Sequence, residues 1–115
     1  MLQFILLLAI FISSSNAQYE NDPDVKDVVD ESMMKINKQL KGQSLFKLER
    51  ILKANVLVVQ STIYKVTLIL TPTTCLKSQK VKDLSKCQAD RRQKKKKIYA
   101  EISESMSGKI TVKVR

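Results

Sequence analysis

The sequence predicts an α+β domain, one long helix packed on a four-stranded antiparallel sheet. Residues 22–42 place apolar side chains at helical spacing, whereas four later segments alternate polar and apolar residues with a period of two. A single helical segment followed by consecutive strands fits a two-layer arrangement in which the helix lies across the concave face of a meander.

The helix comes first. Val25, Val28, Val29, Met33, Ile36 and Leu40 form its apolar stripe, and Lys26, Asp27, Asp30, Glu31, Lys35 and Lys38 lie opposite. Asp22-Pro23 supplies a cap and a first-turn residue, and Gly42 supplies the stop. Lys38 and Lys41 favour the dipole at its end. About five turns are expected.

In the first strand Phe46, Leu48, Leu52, Ala54, Val56 and Val58 share one parity, interrupted only by Arg50. A polar tip around Gln60-Ser61 leads into the second strand, where Tyr64, Val66, Leu68 and Leu70 share a face opposite Lys65, Thr67 and Thr71. Ile98, Ala100 and Ile102 mark the third strand, and Ile110, Val112 and Val114 the fourth. Ser105-Met106-Ser107-Gly108 reads as the turn between them.

The chain opens on an apolar run, Met1 to Ile12, followed by Ser13-Ser14-Ser15-Asn16-Ala17. The run is too short to span a bilayer comfortably, so residues 1–17 read as a secretory signal cut after Ala17, in preference to an uncleaved anchor. Residues 18–115 then form one small domain, secreted and extracellular, with no stable membrane insertion. Cys75 and Cys87 are the only cysteines; in an oxidising compartment they are expected to pair. With no histidine in the chain, they lack the further soft ligands that a closed zinc site needs.

No metal and no cofactor is expected, and neither is an enzyme. General base work near neutral pH lacks its usual histidine, and no serine stands in a nucleophile-elbow context. The two glycines, Gly42 and Gly108, are too far apart for a phosphate-cradling loop.

From about Asp24 to Val114 the order of elements resembles the cystatins, secreted inhibitors of papain-like cysteine proteases. The spacing from Phe46 to Tyr64 matches that family without a gap. Thr73-Thr74-Cys75 with Cys87 is similar to the first disulfide of its disulfide-bearing branch, and Ala100-Glu101-Ile102 resembles the strand before its second inhibitory loop. The resemblance implies a hydrophobic wedge of three parts that covers the catalytic thiol of a protease. The first loop, of type Gln-x-Val-x-Gly, falls on Leu57, Val58, Val59, Gln60 and Ser61. The second, of type Pro-Trp, falls on Met106 and Ser107. The N-terminal trunk falls on Gln18 to Asn21. Val59 keeps the central valine. Leu57 replaces the glutamine, Ser61 the loop glycine, and the chain has no tryptophan and no trunk glycine.

The net charge is +10, and six of the seven residues from Arg91 to Lys97 are basic: Arg91, Arg92, Lys94, Lys95, Lys96 and Lys97. Such a run suits anionic glycans, anionic lipid, or cleavage by dibasic-specific convertases; its plainest reading is a solvated loop. Nucleic acid is not expected as a partner, because no aromatic residue is interleaved for stacking. Release of a cationic tail, as from cathelin-type propieces, would strip the last two strands. Two functions follow as expectations. The first is inhibition of a papain-like cysteine protease, weak or divergent because the loop motifs depart from the family. The alternative is a non-inhibitory binding protein of the same fold that holds an anionic partner through the basic run.

Overall fold

The computed structural model describes residues 21–115; the expected signal segment, and the trunk up to Glu20, lie outside the described residues. Helix α1 (Pro23–Gln39) is followed by four strands, β1 (Ser44–Val58), β2 (Thr62–Leu76), β3 (Lys96–Glu104) and β4 (Ile110–Val114), with a short 3-10 turn at Leu84–Lys86. The strands form one antiparallel sheet in the order β1-β2-β3-β4. This is the helix-on-meander architecture expected from the sequence.

Asp22 caps the helix, its carboxylate accepting from the Asp24 amide at 2.8 Å, and Pro23 occupies the first turn, where its missing N–H is harmless. Gly42, at φ +95°, takes the left-handed conformation that turns the chain toward β1. The apolar stripe packs on one face of the sheet. Val29 and Ile36 are fully buried against a core that includes Leu68, Leu70 and Ile102.

β1 departs from the simple alternation read in its sequence. Past an irregularity between Ser44 and Phe46, its pairing with β2 slips once between Leu48 and Arg50 and again between Ile51 and Lys53, leaving Glu49 and Leu52 as bulge residues. The first slip moves Arg50 off the core face and puts Ile51 on it opposite Leu68; the second restores the parity at Ala54, opposite Val66. Leu52 is therefore not a core position, and the apparent interruption at Arg50 is a bulge signal. Val58 also leaves the core: it is 75% exposed, at a strand end that the helix does not cover.

Beyond the helix, the far end of β2 is braced by the covalent link between Cys75 and Cys87, whose Cα atoms are 5.7 Å apart. The Thr74 amide donates to Gln88 O and the Asp90 amide to Pro72 O, so residues 88–90 run alongside β2. Thr73, fully buried, donates its hydroxyl to Leu45 O at 2.6 Å.

Candidate functional site

Two hairpin tips meet at one end of the sheet. The first is the three-residue connection Val59–Ser61, closed by the Val59 amide donating to Ser61 O at 3.0 Å. The second spans Ser105 to Lys109. There the Gly108 amide donates to Ser105 O and the Ser105 amide to Lys109 O, both at 2.9 Å. Gly108 sits at φ +87°, the left-handed position that closes a three-residue hairpin loop. No atom stands within 4 Å of where a Cβ would be, so its requirement for glycine is conformational.

The register brings the tips side by side. Val58 pairs with Thr62 and Thr62 with Glu104, so the residues that open one turn lie beside those that open the other. The hydroxyls of Ser61 and Ser103 approach to 3.3 Å across the strands. Between the tips runs a shallow groove of about 180 Å³, lined by Val58, Val59, Gln60 and Ser61 on one side and Glu104, Ser105 and Met106 on the other. Its apolar rim projects into solvent: Val59 is 78% exposed and Met106 95%. Exposed apolar side chains gathered on two adjacent turns mark a contact surface better than scattered ones do.

Of the loop residues anticipated from the sequence, Val58 to Ser61 and Met106 line the groove. Leu57 and Ser107 do not. Leu57 pairs with Ile63 and points to the outer side of the sheet, while the Ser107 hydroxyl lies 2.9 Å from that of Ser105 and stiffens the turn. Thr62, Glu104 and Ser105, which sequence reading missed, complete the lining. Their signal was available in the pairing of the two hairpins, which follows once β2 and β3 are neighbours. The helix N-terminus faces this same end. The Tyr64 phenol is raised above its usual range first by burial and then by the carboxylates of Glu104, Asp24 and Asp22.

The basic run lies at the opposite end of β3, some eight residues or roughly 25 Å away. It does not form a uniform patch. Arg92 pairs with Asp90 at 3.1 Å and Lys95 with Glu49 at 2.5 Å, which holds the Glu49 carboxyl below its ordinary range. Lys96 and Lys97 belong to β3 and lie over the rings of Phe46 and Tyr99. Only Arg91 and Lys94 are left in the loop without an ion pair among the described residues. Among those residues no group of three or more metal-ligating side chains occurs, and no helix is long and apolar enough to cross a membrane.

Comparison with known proteins places this architecture. The crystal structure of Al-CPI superposes with a TM-score of 0.71 at 19% identity, over 85% of this chain and 91% of that one, a likeness of fold. The crystal structure of dimeric human cystatin F superposes at 0.67 with 25% identity, over 86% of this chain and 81% of that one. No curated protein sequence matches the chain. The sequence profile of the cystatin domain matches residues 13–106, which include α1, β1, β2, β3 and both hairpin tips up to Met106. The chain belongs to the cystatin family.

Proposed function

We propose that the protein is a secreted inhibitor of papain-like cysteine proteases whose grip is weak relative to the family pattern. The observation that supports this reading is the juxtaposition of Val58, Val59 and Met106 on two adjacent turns at one end of the sheet. An apolar edge of that kind can enter a protease cleft and cover its thiol without presenting a scissile bond. Inhibition on this reading is competitive and leaves the enzyme covalently unmodified. The apolar run from Met1 to Ile12 and the disulfide between Cys75 and Cys87 both suit an extracellular protein.

Three departures set the strength. Leu57 faces away from the groove and cannot take the part of the family's glutamine. Met106 offers a soft thioether where the pattern has an aromatic anchor, and loss of such an anchor typically costs 2 kcal/mol or more. Ser61 adds a hydroxyl, engaged with Ser103, at the position of the family's glycine. At about 1.4 kcal/mol per tenfold change, two such losses weaken a tight inhibitor by orders of magnitude. The reading is tested with a peptide-substrate assay on a papain-like enzyme. The natural protein should raise the apparent KM without lowering the limiting rate, and Val59→Asp should abolish the effect. Inhibition that survives Val59→Asp would place the contact elsewhere.

A further inference from the structure

The outer face of the sheet, turned away from the helix, carries a concentration of positive charge that the linear sequence does not reveal. Side chains between the core positions form cross-strand rows on this face. Arg50, Ile69 and Lys97 make one row. Lys53, Thr67 and Tyr99 make the next, and Asn55, Lys65, Glu101 and Lys113 the third. Arg50, Lys53, Lys65, Lys97 and Lys113 are all exposed. Lys53 and Lys65 are diagonal neighbours, about 7–8 Å apart, and Lys65 and Lys113 flank Glu101 at two strand spacings, roughly 9–10 Å.

The second bulge of β1 builds this face. Residues three apart in a regular strand point to opposite sides, yet Arg50 and Lys53 point to the same one because the Leu52 bulge intervenes. Glu101 is the one carboxylate in the three rows, and Arg115 binds it at 3.3 Å. The exposed acids of the helix, Asp24, Asp27, Asp30 and Glu31, lie on the other layer. That layer also exposes Lys26, Lys35 and Lys38, so its charge is nearly balanced, whereas the three rows hold five cations against one carboxylate.

We propose that this outer sheet face binds a linear sulfated polysaccharide. Its cations recur at intervals of some 7–10 Å on an open surface, which suits a chain of regularly placed sulfate groups met by ammonium point charges. Nucleic acid is a poorer fit because single strands stack on free aromatic rings, whereas Lys97 already lies over the Tyr99 ring at 5.8 Å. Membrane attachment would need an apolar band beside the charges, and in these rows the only aliphatic residue is the half-buried Ile69. Of the basic run, only Lys97 belongs to the face. The site does not rest on the inhibitory reading, since none of its cations lines the groove between the hairpin tips.

Heparin affinity measured on the purified protein tests the assignment. Two charge-matched variants are compared: Lys53→Gln with Lys65→Gln and Lys113→Gln on the face, and Lys38→Gln with Lys41→Gln and Lys80→Gln away from it. All six side chains are exposed, so both variants should melt close to the natural protein. At about 0.15 M salt the face variant should lose roughly tenfold or more in heparin affinity, and the control much less. Equal losses would mean that net charge alone is read, and the site would be wrong. The specificity would be overturned if desulfated heparin, a single-stranded oligonucleotide or phosphatidylserine vesicles bound as tightly as heparin.

Discussion

Asn37 serves as a backbone partner for Phe46. Its side-chain oxygen accepts from the Phe46 amide at 2.8 Å, and its amide nitrogen donates to Phe46 O at 2.9 Å and to Met33 O at 3.0 Å. β1 is an edge strand, so the outward N–H and C=O of Phe46 have no strand to pair with. A side chain of the helix closes the ladder instead. Two residues on, Gln39 does the same at the other edge, donating to Val112 O at 2.7 Å and accepting from the Val114 amide at 2.9 Å. The last turn of the helix thus fastens both edges of the sheet. Asn37→Ala would remove these bonds and leave the backbone groups of Phe46 buried and unpaired. A loss of about 2–4 kcal/mol is expected in denaturant unfolding. A loss under 1 kcal/mol would show that water replaces the side chain at little cost.

The same substitution at Gln39, on a more exposed edge, should cost less. Water can reach Val112 O and Val114 N once the amide is gone, so Gln39→Ala is expected to cost about 1 kcal/mol. Comparing the two variants under one set of conditions separates burial from bond number. Equal losses would contradict the difference in burial.

The disulfide braces the part of β2 that extends past the helix. Replacing Cys75 and Cys87 together with Ser should lower stability by roughly 3 kcal/mol at most, because the closed loop is short. For a domain of this size the upper figure corresponds to about 12–24 °C in Tm. The far-ultraviolet spectrum should stay that of the natural protein, since α1 and the paired halves of the sheet do not depend on the link. An unchanged Tm would mean that Thr73 and the contacts of residues 88–90 hold this end unaided.

Acid should loosen the same region. Asp90 is buried and accepts from the Gln93 side chain at 2.9 Å, the Arg92 amide at 3.0 Å and the Arg92 guanidinium at 3.1 Å. These contacts, the Gln93 bond foremost, lower its pKa from 3.8 to about 2. A folded-state value below the unfolded one means that ionised Asp90 stabilises the fold. That contribution is complete above the unfolded pKa and is lost as pH falls through about 2. Asp90→Ala should therefore be less stable than the natural protein near neutral pH, and the gap should narrow in strong acid. A pH-independent gap would assign the loss to packing.

Much of this fold is legible in the sequence because local signals agree with one another. Asp22-Pro23, the apolar stripe from Val25 to Leu40 and Gly42 bound the helix, and the face of β2 from Tyr64 to Leu70 is buried as its alternation implies. β1 is less legible. A bulge changes parity without any distinctive residue type, so Leu52 looked like core and Arg50 like an interruption. Asn37 gave no signal at all, since its partner is backbone nine residues away. In the candidate site, the turn residues could be located from the motif spacing. That Leu57 turns away and Glu104 turns in follows only from cross-strand register. The basic run was conspicuous in sequence because its charges are consecutive, yet folding splits them among Asp90, Glu49 and two rings. The cationic sheet face was invisible because its members are scattered from Arg50 to Lys113.

The inhibition constant for a papain-like protease, measured with the natural protein beside the triple variant Ser61→Gly, Met106→Pro, Ser107→Trp, bears on the whole functional reading. Proline suits the position Met106 holds at the start of its turn, and Gly108 remains to close the loop. The natural protein is expected to inhibit competitively with a constant in the micromolar range or weaker, and the variant should bind tighter by about tenfold or more. Nanomolar inhibition by the natural protein would contradict the weakness assigned to Leu57, Ser61 and Met106. Absence of inhibition by both proteins would contradict the assignment of the paired tips as a protease-binding edge.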